Sequence, residues 1–223
     1  NSFRATNIAF IEEWARFAEK MKIDLYKVIE SIRLRPTHNN IRHPGFGVGG
    51  YCLTKDPFFG EYAAKKLWGF NDLQFPFSKS SVQINNKMPL VTLKKIKKLY
   101  NNNIKNKKIL ILGMSYKENV GDLRFSPSIF FSKYLLNNKA KVFWHDPHVK
   151  SVNNPKLIKV ISLKKLFKYD LILFSVSHNL YKKLKFKKKN FKKTYIFDSN
   201  YVLTNNQINQ VIKEKINFGS IGR

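Results

Sequence analysis

The chain contains one cysteine, and its neighbours are residue types that could make it a nucleophile. Cys52 lies in residues 47–57, which read GVGGYCLTKDP. The glycines let the backbone take a positive φ and let a substrate approach closely. Lys55 brings an ammonium near the sulfur, which favours the thiolate, and Asp56 adds a carboxylate that could act on water. The segment predicts covalent catalysis through Cys52, although a lone cysteine is also common as a small buried apolar residue.

A second group of candidate residues lies in residues 113–128, which read GMSYKENVGDLRFSPS. Lys117 and Arg124 follow a predicted buried strand and precede a predicted helix. Ligands of open parallel sheets bind beyond the carboxyl ends of strands, and a helix N-terminus favours anions. The pattern predicts a nucleotide or phosphate site, with a structural pair of Asp122 and Arg124 as the alternative. The glycines of a dinucleotide fingerprint are absent after Gly113, so NAD is not expected at this half.

The cysteine segment lies in the part of the chain that is predicted to be helical. Residues 2–32 carry apolar side chains at spacings of three and four, which predicts two amphipathic helices. Asp24 is the predicted N-cap of the second helix, and Pro89 is expected at a kink or boundary of a later helix. Three further segments are predicted: a loop at 33–60, a helix at 61–68 and a long helix at 78–102.

From Lys107 onward, short apolar segments of the kind found in parallel sheets alternate with helical patterns. The predicted strands are 108–113, 141–144, 158–161, 170–175 and 194–198, with a helix at 126–136 and further helices between the later strands. This alternation is typical of a doubly wound parallel sheet. We therefore predict an α/β fold class with two domains, a helical central domain at 1–102 and a Rossmann-like nucleotide-binding domain at 103–223.

Composition narrows the classes of partner. The net charge of +28 would suit a polyanion, but the excess is almost entirely lysine, whereas nucleic-acid readers favour arginine. We attribute the charge to compositional drift, expect no nucleic-acid partner, and interpret the basic run at 182–193 as a solvated surface. No apolar stretch approaches the ~20 residues that span a bilayer, and one cysteine cannot form an intramolecular disulfide. A cytoplasmic protein without a membrane contact is expected, and no metal site, because His38 and His43 lack partners at metal-site spacing.

Four segments, taken in order, resemble one family. They are 1–5 (NSFRA), 47–57, 84–89 (INNKMP), and 113–128 with the later Asp146-Pro147. Together they are similar to the central and C-terminal parts of the nucleotide-sugar dehydrogenases, the UDP-glucose/GDP-mannose dehydrogenase family. The form GYCLTKDP looks more like the branch acting on UDP-N-acetylhexosamines or related UDP-sugars than like the GDP-mannose branch. The resemblance implies a missing N-terminal NAD domain and a homodimer through the long helix of the central segment.

The resemblance also implies a reaction. It is the NAD-dependent, four-electron oxidation of the C6 alcohol of a UDP-sugar to a uronate for polysaccharide biosynthesis, with this fragment inactive by itself. Cys52 would carry a thiohemiacetal and then a thioester, Asp56 would orient or activate water, and Asn1 would help position the reacting oxygens. The implied substrate contacts are Arg4, Phe46, Gly47, Gly49, Gly50, Lys55, Lys117 and Arg124. The NAD contacts stay unassigned, with Lys55 and Arg124 as candidates.

Departures from the family pattern leave alternatives open. Asn200 stands where relatives carry an arginine that often contacts the substrate, and Glu118 stands where many have proline or a second cation. One of Arg33, Arg35 or His38 is expected to correspond to an arginine that reaches the neighbouring subunit's substrate. The rival hypotheses are a GDP-mannose 6-dehydrogenase, a basic nucleic-acid-binding protein on a decayed dehydrogenase scaffold, and a nonfunctional scaffold or dimerisation remnant.

Overall fold

The computed structural model describes residues 1–187, 191 and 193–223, so part of the basic run at 182–193 lies outside the described residues. The first part of the chain is helical. Its α-helices are α1 (Ser2–Lys20), α2 (Leu25–Arg33), α3 (Cys52–Lys55), α4 (Phe59–Leu67) and α5 (Pro76–Leu99). Among the described residues, none of the helices has the length and apolar character needed to cross a bilayer.

Helices α1 and α5 pack against each other and form the frame of the helical part. Small buried residues on one face of α1, such as Ala5 and Ala9, allow the close approach. The Asn85 side chain donates a hydrogen bond from α5 to the Ala5 carbonyl at 3.0 Å. Asp24 accepts from the Tyr26 N–H and caps α2, as predicted. Pro89 lies inside α5 rather than at its boundary, and the helix ends at Leu99, three residues before the predicted end.

The predicted loop at 33–60 is shorter than expected. Cys52 begins α3, a 3-10 turn follows at Asp56–Phe58, and α4 begins at Phe59. The Thr54 hydroxyl donates to the carbonyls of Gly50 and Tyr51 at 2.9 and 3.0 Å and so closes the turn in front of the helix. A helix of one turn is too short to show the 3.6-residue period, which is why the sequence pattern indicated a loop.

The second part of the chain is a parallel sheet of six strands in the order β3-β2-β1-β4-β5-β6. The strands are β1 (Lys108–Leu112), β2 (Lys141–His145), β3 (Ile158–Lys159), β4 (Leu171–Phe174), β5 (Tyr195–Asp198) and β6 (Phe218–Ser220). The strand order reverses between β1 and β4, which makes the sheet doubly wound and confirms the predicted fold class. The sequence analysis did not predict β6.

Helix α6 (Pro127–Asn137) follows β1, and α7 (Asn205–Lys213) follows β5. The further helices predicted between the later strands are wrong for the described residues. There the connections from β3 to β4 and from β4 to β5 contain 3-10 turns at Leu166–Lys168 and Tyr181–Lys183. The short apolar strands are buried on both faces of the sheet, as predicted. The connections between them have too few residues with helical periodicity to form α-helices.

Alternate residues of β1 face two separate cores. Ile109 and Ile111 belong to a cluster that continues into the helical part, whereas Leu110 and Leu112 belong to the cluster on the other face. The period of two is that of a strand buried on both sides. The first cluster is shared by α1, α2, α5 and the sheet, which fixes the helical part against the α/β part. The domain division at residue 102 stays a prediction.

Candidate active site

One cleft of about 980 Å³ lies where the helical part meets the carboxyl ends of the strands. Asn1, Arg4 and Cys52 line it from the helical side, and Lys117 and Arg124 line it from the loop after β1. The three loop glycines Gly47, Gly49 and Gly50 line it as well. Two groups of residues that the sequence places in separate segments therefore share one cavity, at the position where open α/β sheets bind ligands.

The loop before Cys52 packs directly on the α/β part. The Gly50 N–H donates to the Arg124 carbonyl at 2.9 Å, and Gly50 has a φ of 80°, which favours glycine. A Cβ on Gly49 would lie 2.6 Å from the Tyr116 Cβ and 2.8 Å from the Phe125 carbonyl oxygen. The close approach that these glycines permit is therefore to the 113–128 segment, while their contact with a sugar stays a proposal.

Cys52 is exposed at the start of α3. Both Lys55 and Arg124 interact with it electrostatically, since the presence of Cys52 contributes to raising the pKa of each cation. These interactions are small beside the pairing of each cation with a carboxylate. The cysteine is thus accessible from the cleft and lies in a basic environment, which are two of the conditions for nucleophilic chemistry.

Asp56 is held between two donors. The Asn1 side chain donates to one carboxylate oxygen at 2.5 Å, and the Lys55 ammonium donates to the other at 2.9 Å. The hydrogen bond from Lys55, followed by that from Asn1, holds the pKa of Asp56 below its ordinary value. Asn1 is therefore in direct contact with the Cys52 segment, and the Asp56 carboxylate is ionised at neutral pH.

Lys55 faces away from the main cleft. Its Nζ lies 4.5 Å from the ring centroid of Tyr51 and 4.3 Å from that of Phe59, in addition to its ion pair with Asp56. Lys55 lines a second cavity of about 390 Å³ on the other side of the cysteine segment. The Lys55 ammonium thus already contacts one carboxylate and two aromatic rings of the protein itself. This geometry supports a role for Lys55 in holding the cysteine segment in place more than it supports a contact with the substrate.

The predicted phosphate site is only partly as expected. The Arg124 guanidinium makes hydrogen bonds of 2.6, 2.9 and 3.1 Å to the Asp122 carboxylate, so the structural pair considered as the alternative is present. Ser126 caps α6 with its own side chain, is buried and does not line the cleft. The capping residue of α6 therefore does not face this cleft, and a phosphate contact with the helix N-terminus stays a prediction. Among the described residues no ion-pair partner is found for the Lys117 ammonium, which leaves it available for a phosphate.

A buried network holds the loop that carries Lys117. The Asn119 N–H donates to His178 Nδ1 at 2.9 Å, which places the remaining ring proton on Nε2. His178 Nε2 lies 3.0 Å from Asp146 Oδ2 and 3.2 Å from the Ser115 hydroxyl. Burial opposes ionisation of Asp146, but hydrogen bonds from His178 and the N–H groups of Ser115 and His148 outweigh it and lower its pKa. The sequence analysis missed His178, although its position just beyond a strand's carboxyl end could have indicated it.

Several predicted residues lie elsewhere. Phe46 does not line the cleft: it is 2% exposed, and its ring packs edge-on against Phe131 with 5.1 Å between centroids. Arg33 donates to the Ile41 carbonyl and pairs with Glu30, and none of Arg33, Arg35 and His38 lines this cleft. The cleft also contains residues that sequence reasoning missed, mostly beyond β1, β4 and β5: Tyr116, Ser177, Lys182, Tyr201 and Thr204.

Asn200, which departs from the family pattern, lines the cleft but is tied into the protein. Its amide donates to the Ser175 carbonyl at 2.8 Å, and its Oδ1 accepts from the Phe46 N–H at 3.4 Å. Among the described residues, no group of three histidine, cysteine or acidic side chains is arranged to hold a metal ion.

Fold and cleft define a doubly wound α/β protein in which a helical segment brings a cysteine to the ligand-binding edge of the sheet. The chain belongs to the UDP-glucose/GDP-mannose dehydrogenase family. The model of the family's central domain matches residues 1–87, and the model of its UDP binding domain matches residues 110–205.

Named relatives agree with this assignment. The chain is 31% identical to a UDP-N-acetyl-D-mannosamine dehydrogenase of Campylobacter jejuni over 80% of this chain and 43% of the relative. It is 30% identical to one of Methanocaldococcus jannaschii over 98% of this chain and 48% of the relative. The crystal structure of an NDP-N-acetyl-D-galactosaminuronic acid dehydrogenase from Methanosarcina mazei superposes with a TM-score of 0.84 at 27% identity, covering 100% of this chain and 49% of that one. The chain therefore spans about half the length of the relatives it matches.

Proposed function

We propose that this chain provides the nucleotide-sugar site and the catalytic cysteine of a UDP-sugar 6-dehydrogenase. The observation that carries the proposal is the single cleft lined by Cys52, by Asn1, whose amide donates to Asp56, and by Lys117, which has no ion-pair partner among the described residues. The substrate we propose is a UDP-N-acetylhexosamine of the N-acetylmannosamine type, because the named relatives act on that class. The product would be a uronate for polysaccharide biosynthesis.

The coenzyme that we propose is NAD, and two NAD molecules bound one after the other would each accept one hydride. The turn after β1 does not fit its pyrophosphate, because the Met114 and Ser115 N–H groups donate to Asp146 at 2.8 and 3.0 Å. Of the two candidates for an NAD contact, Arg124 lines the cleft with a side chain that is 63% exposed, whereas Lys55 does not line it. The α/β part of this chain is therefore proposed to hold the UDP-sugar, and the chain alone is proposed to be inactive as a dehydrogenase.

The role we assign to Cys52 follows from its exposure in the cleft. Its sulfur would add to the C6 aldehyde carbon, and the thiol proton would pass to the new alkoxide to give a thiohemiacetal. This adduct keeps a reactive aldehyde bound and has a hydrogen on C6 that can leave as hydride. After the second oxidation the thioester would be attacked by water, which expels the thiolate. Alcohol and water thus become a carboxylate, with two hydrides and three protons released.

Asp56 would orient the attacking water. A carboxylate whose pKa is lowered by Lys55 and Asn1 is a weak base, so it accepts a hydrogen bond from water more readily than it removes a proton. Asn1 fixes the direction of the carboxylate through the 2.5 Å hydrogen bond. This assignment requires that water reach the thioester from the Asn1 side of the cleft.

Calorimetric titration of this chain with UDP and with GDP tests the nucleotide site. We expect UDP to bind, GDP to bind more weakly, and Lys117→Ala to weaken UDP binding about tenfold, or ~1.4 kcal/mol. Lys87→Ala removes an exposed lysine outside both cavities and is the matched control. No heat of binding at millimolar UDP would refute the proposed nucleotide site, and preference for GDP would support the GDP-mannose alternative.

A further inference from the structure

A buried acid touches the start of the cysteine loop. Glu12 of α1 is 2% exposed, and its Oε1 accepts a hydrogen bond from the Gly45 N–H at 2.6 Å. Gly45 lies two residues before Gly47, the first cleft-lining glycine of the loop. A carboxyl group at such burial needs a specific partner, because an unpaired polar group in an apolar interior is costly. Glu12 therefore connects the helical frame to the segment from which the cysteine loop starts.

The α/β part contacts the same segment from the other side. The Phe46 N–H donates to Asn200 Oδ1, and a Cβ on Gly45 would collide with the same oxygen. The Phe46 side chain is buried against Phe131 of α6. Residues 45 and 46, which we call the loop root, are thus fixed by one contact from α1 and several from the α/β part. The loop root has no space to shift while both sets of contacts are made.

No cation among the described residues forms an ion pair with Glu12. Arg16 and Glu19 on α1, Lys95 on α5 and Tyr26 on α2 all interact with it electrostatically, with opposing signs. Lys95 makes its ion pair with Glu19 at 2.5 Å rather than with Glu12. Burial is the largest influence and raises the pKa of Glu12 to about 7, against the hydrogen bond from Gly45 and the attraction of Arg16.

We propose that Glu12 is a positioning residue for Cys52: it fixes the loop root through Gly45, and the closed loop root becomes less stable when Glu12 loses its proton, because the cost of burying the charge exceeds the gain from a stronger hydrogen bond with Gly45. The link to catalysis rests on the proposed function, but the contact itself does not. When the loop root opens, water reaches the carboxyl group and its pKa returns toward the ordinary value of 4.5. Opening is then coupled to proton release, so the opening equilibrium rises by up to tenfold per pH unit between about 4.5 and 7 and levels off above that range.

Amide hydrogen exchange of a peptide covering 43–50 in the intact chain tests this. After correction for the intrinsic exchange rate, we expect protection to fall tenfold or more between pH 5 and pH 7. Glu12→Gln keeps an oxygen that can accept from Gly45 but cannot ionise, so its protection should change less than threefold. Glu13→Gln alters the exposed neighbour on the same helix and should behave like the wild type.

Two outcomes would overturn the proposal. Equal pH dependence in the wild type and Glu12→Gln would show that another group controls opening, and protection independent of pH would show that Glu12 does not ionise with the loop root. Cys52 is already exposed, so opening of the loop root should change its alkylation rate through position rather than access: the ratio of the Glu12→Gln rate to the wild-type rate should depart from one as pH rises to 7. A chain that binds no UDP but shows this exchange pattern would refute the nucleotide site and leave the positioning role standing.

Discussion

The protonation state and the accessibility of the residues around Cys52 depend on the side chains that contact them. Lys55, expected to hold the loop or the substrate, is paired with Asp56 and lies over two aromatic rings. That pairing lowers the pKa of Asp56 and so favours water orientation over proton abstraction. Cys52 retains its exposure because α3 begins at the cleft wall. At this scale, each proposed role can be tested by a substitution that preserves size.

Substitution of the cysteine tests the covalent step. In the full-length protein, Cys52→Ser should lower uronate formation by at least about a thousandfold, because a hydroxyl is a far weaker nucleophile than a thiolate. UDP affinity should stay within about twofold, and the melting temperature within about 1 °C, because an exposed side chain is changed by one atom. The measurement is NADH formed per uronate. Retained four-electron turnover would contradict a thioester on Cys52.

Substitution of the water-orienting carboxylate tests the last step. Asp56→Asn in the full-length protein should slow thioester hydrolysis by about 10²-fold while the first oxidation continues, so acyl-enzyme should accumulate. Rapid quenching and mass measurement of the intact protein would detect it as an adduct on Cys52. Asp72→Asn changes an exposed carboxylate elsewhere and is the control. Equal slowing of every step, without an adduct, would assign Asp56 a purely structural role.

Glu12 should also influence the pH dependence of global stability. Its folded-state pKa of about 7 lies above the ordinary 4.5, so its stabilising effect is fully present below pH 4.5 and is lost as pH rises through 7. The difference of about 2.5 units corresponds to about 3 kcal/mol. The urea midpoint of Glu12→Gln, minus that of the wild type, should therefore be larger at pH 8 than at pH 5. An identical shift at both pH values would show that the carboxyl group does not titrate in this range.

At the scale of elements, the loop after β1 is the one whose position depends on a buried network. Ser115, Asp146 and His178 come from three different strand ends and meet beneath Lys117 and Asn119. Parallel strands bring such residues together because their carboxyl ends share one edge. His178 accepts from the loop backbone through Nδ1 and lies within hydrogen-bond distance of Asp146 through Nε2, so replacing it removes two contacts of the network.

Removal of the imidazole should therefore loosen the nucleotide loop. His178→Ala leaves the Asn119 N–H without its partner and removes one of the three hydrogen bonds to Asp146 Oδ2, which should cost about 2–3 kcal/mol in the free energy of unfolding. UDP affinity should also fall, because Lys117 lies in the loop that is released. His148→Ala removes an exposed neighbouring ring and should have little effect on either. Stability lost without any change in UDP affinity would contradict a link between the network and the site.

The sequence predicts elements well where a periodic pattern extends over several turns or residues. The start of helix α1 and both ends of strand β1 were predicted within one residue, but α3 and β6 were not predicted, because four or three residues cannot display a period. Among site residues, Cys52 and Lys117 could be found from residue type and position. Glu12 could not, since Glu12 and Glu13 are adjacent acids and only the packing of α1 decides which is buried.

At the scale of the whole molecule, a stripe of exposed apolar side chains lies on a helix other than the one expected to form a dimer. The long helix α5 exposes large apolar side chains only near its ends, at Phe77 and Leu99, among the described residues. Helix α1 instead exposes a stripe at spacings of seven, four, three and four, formed by Phe3, Phe10, Trp14, Phe17 and Met21. Monomeric proteins rarely leave such a stripe in water, so it supports the proposed homodimer through a different helix.

The stripe is self-complementary in the way that a twofold interface requires, because two antiparallel copies of α1 would place aromatic rings against aromatic rings. Phe10, Trp14 and Phe17 already contact one another, with ring centroids 6.2 and 5.8 Å apart. We expect light scattering at about 50 µM to give twice the chain mass, and Trp14→Glu with Phe17→Glu to give the monomer, because a charge buried without a partner costs several kcal/mol. Phe77→Glu changes an isolated exposed ring on α5 and should leave the dimer intact. A wild-type monomer at this concentration would contradict the prediction, as would a dimer that is lost on the α5 substitution and kept on the α1 substitutions.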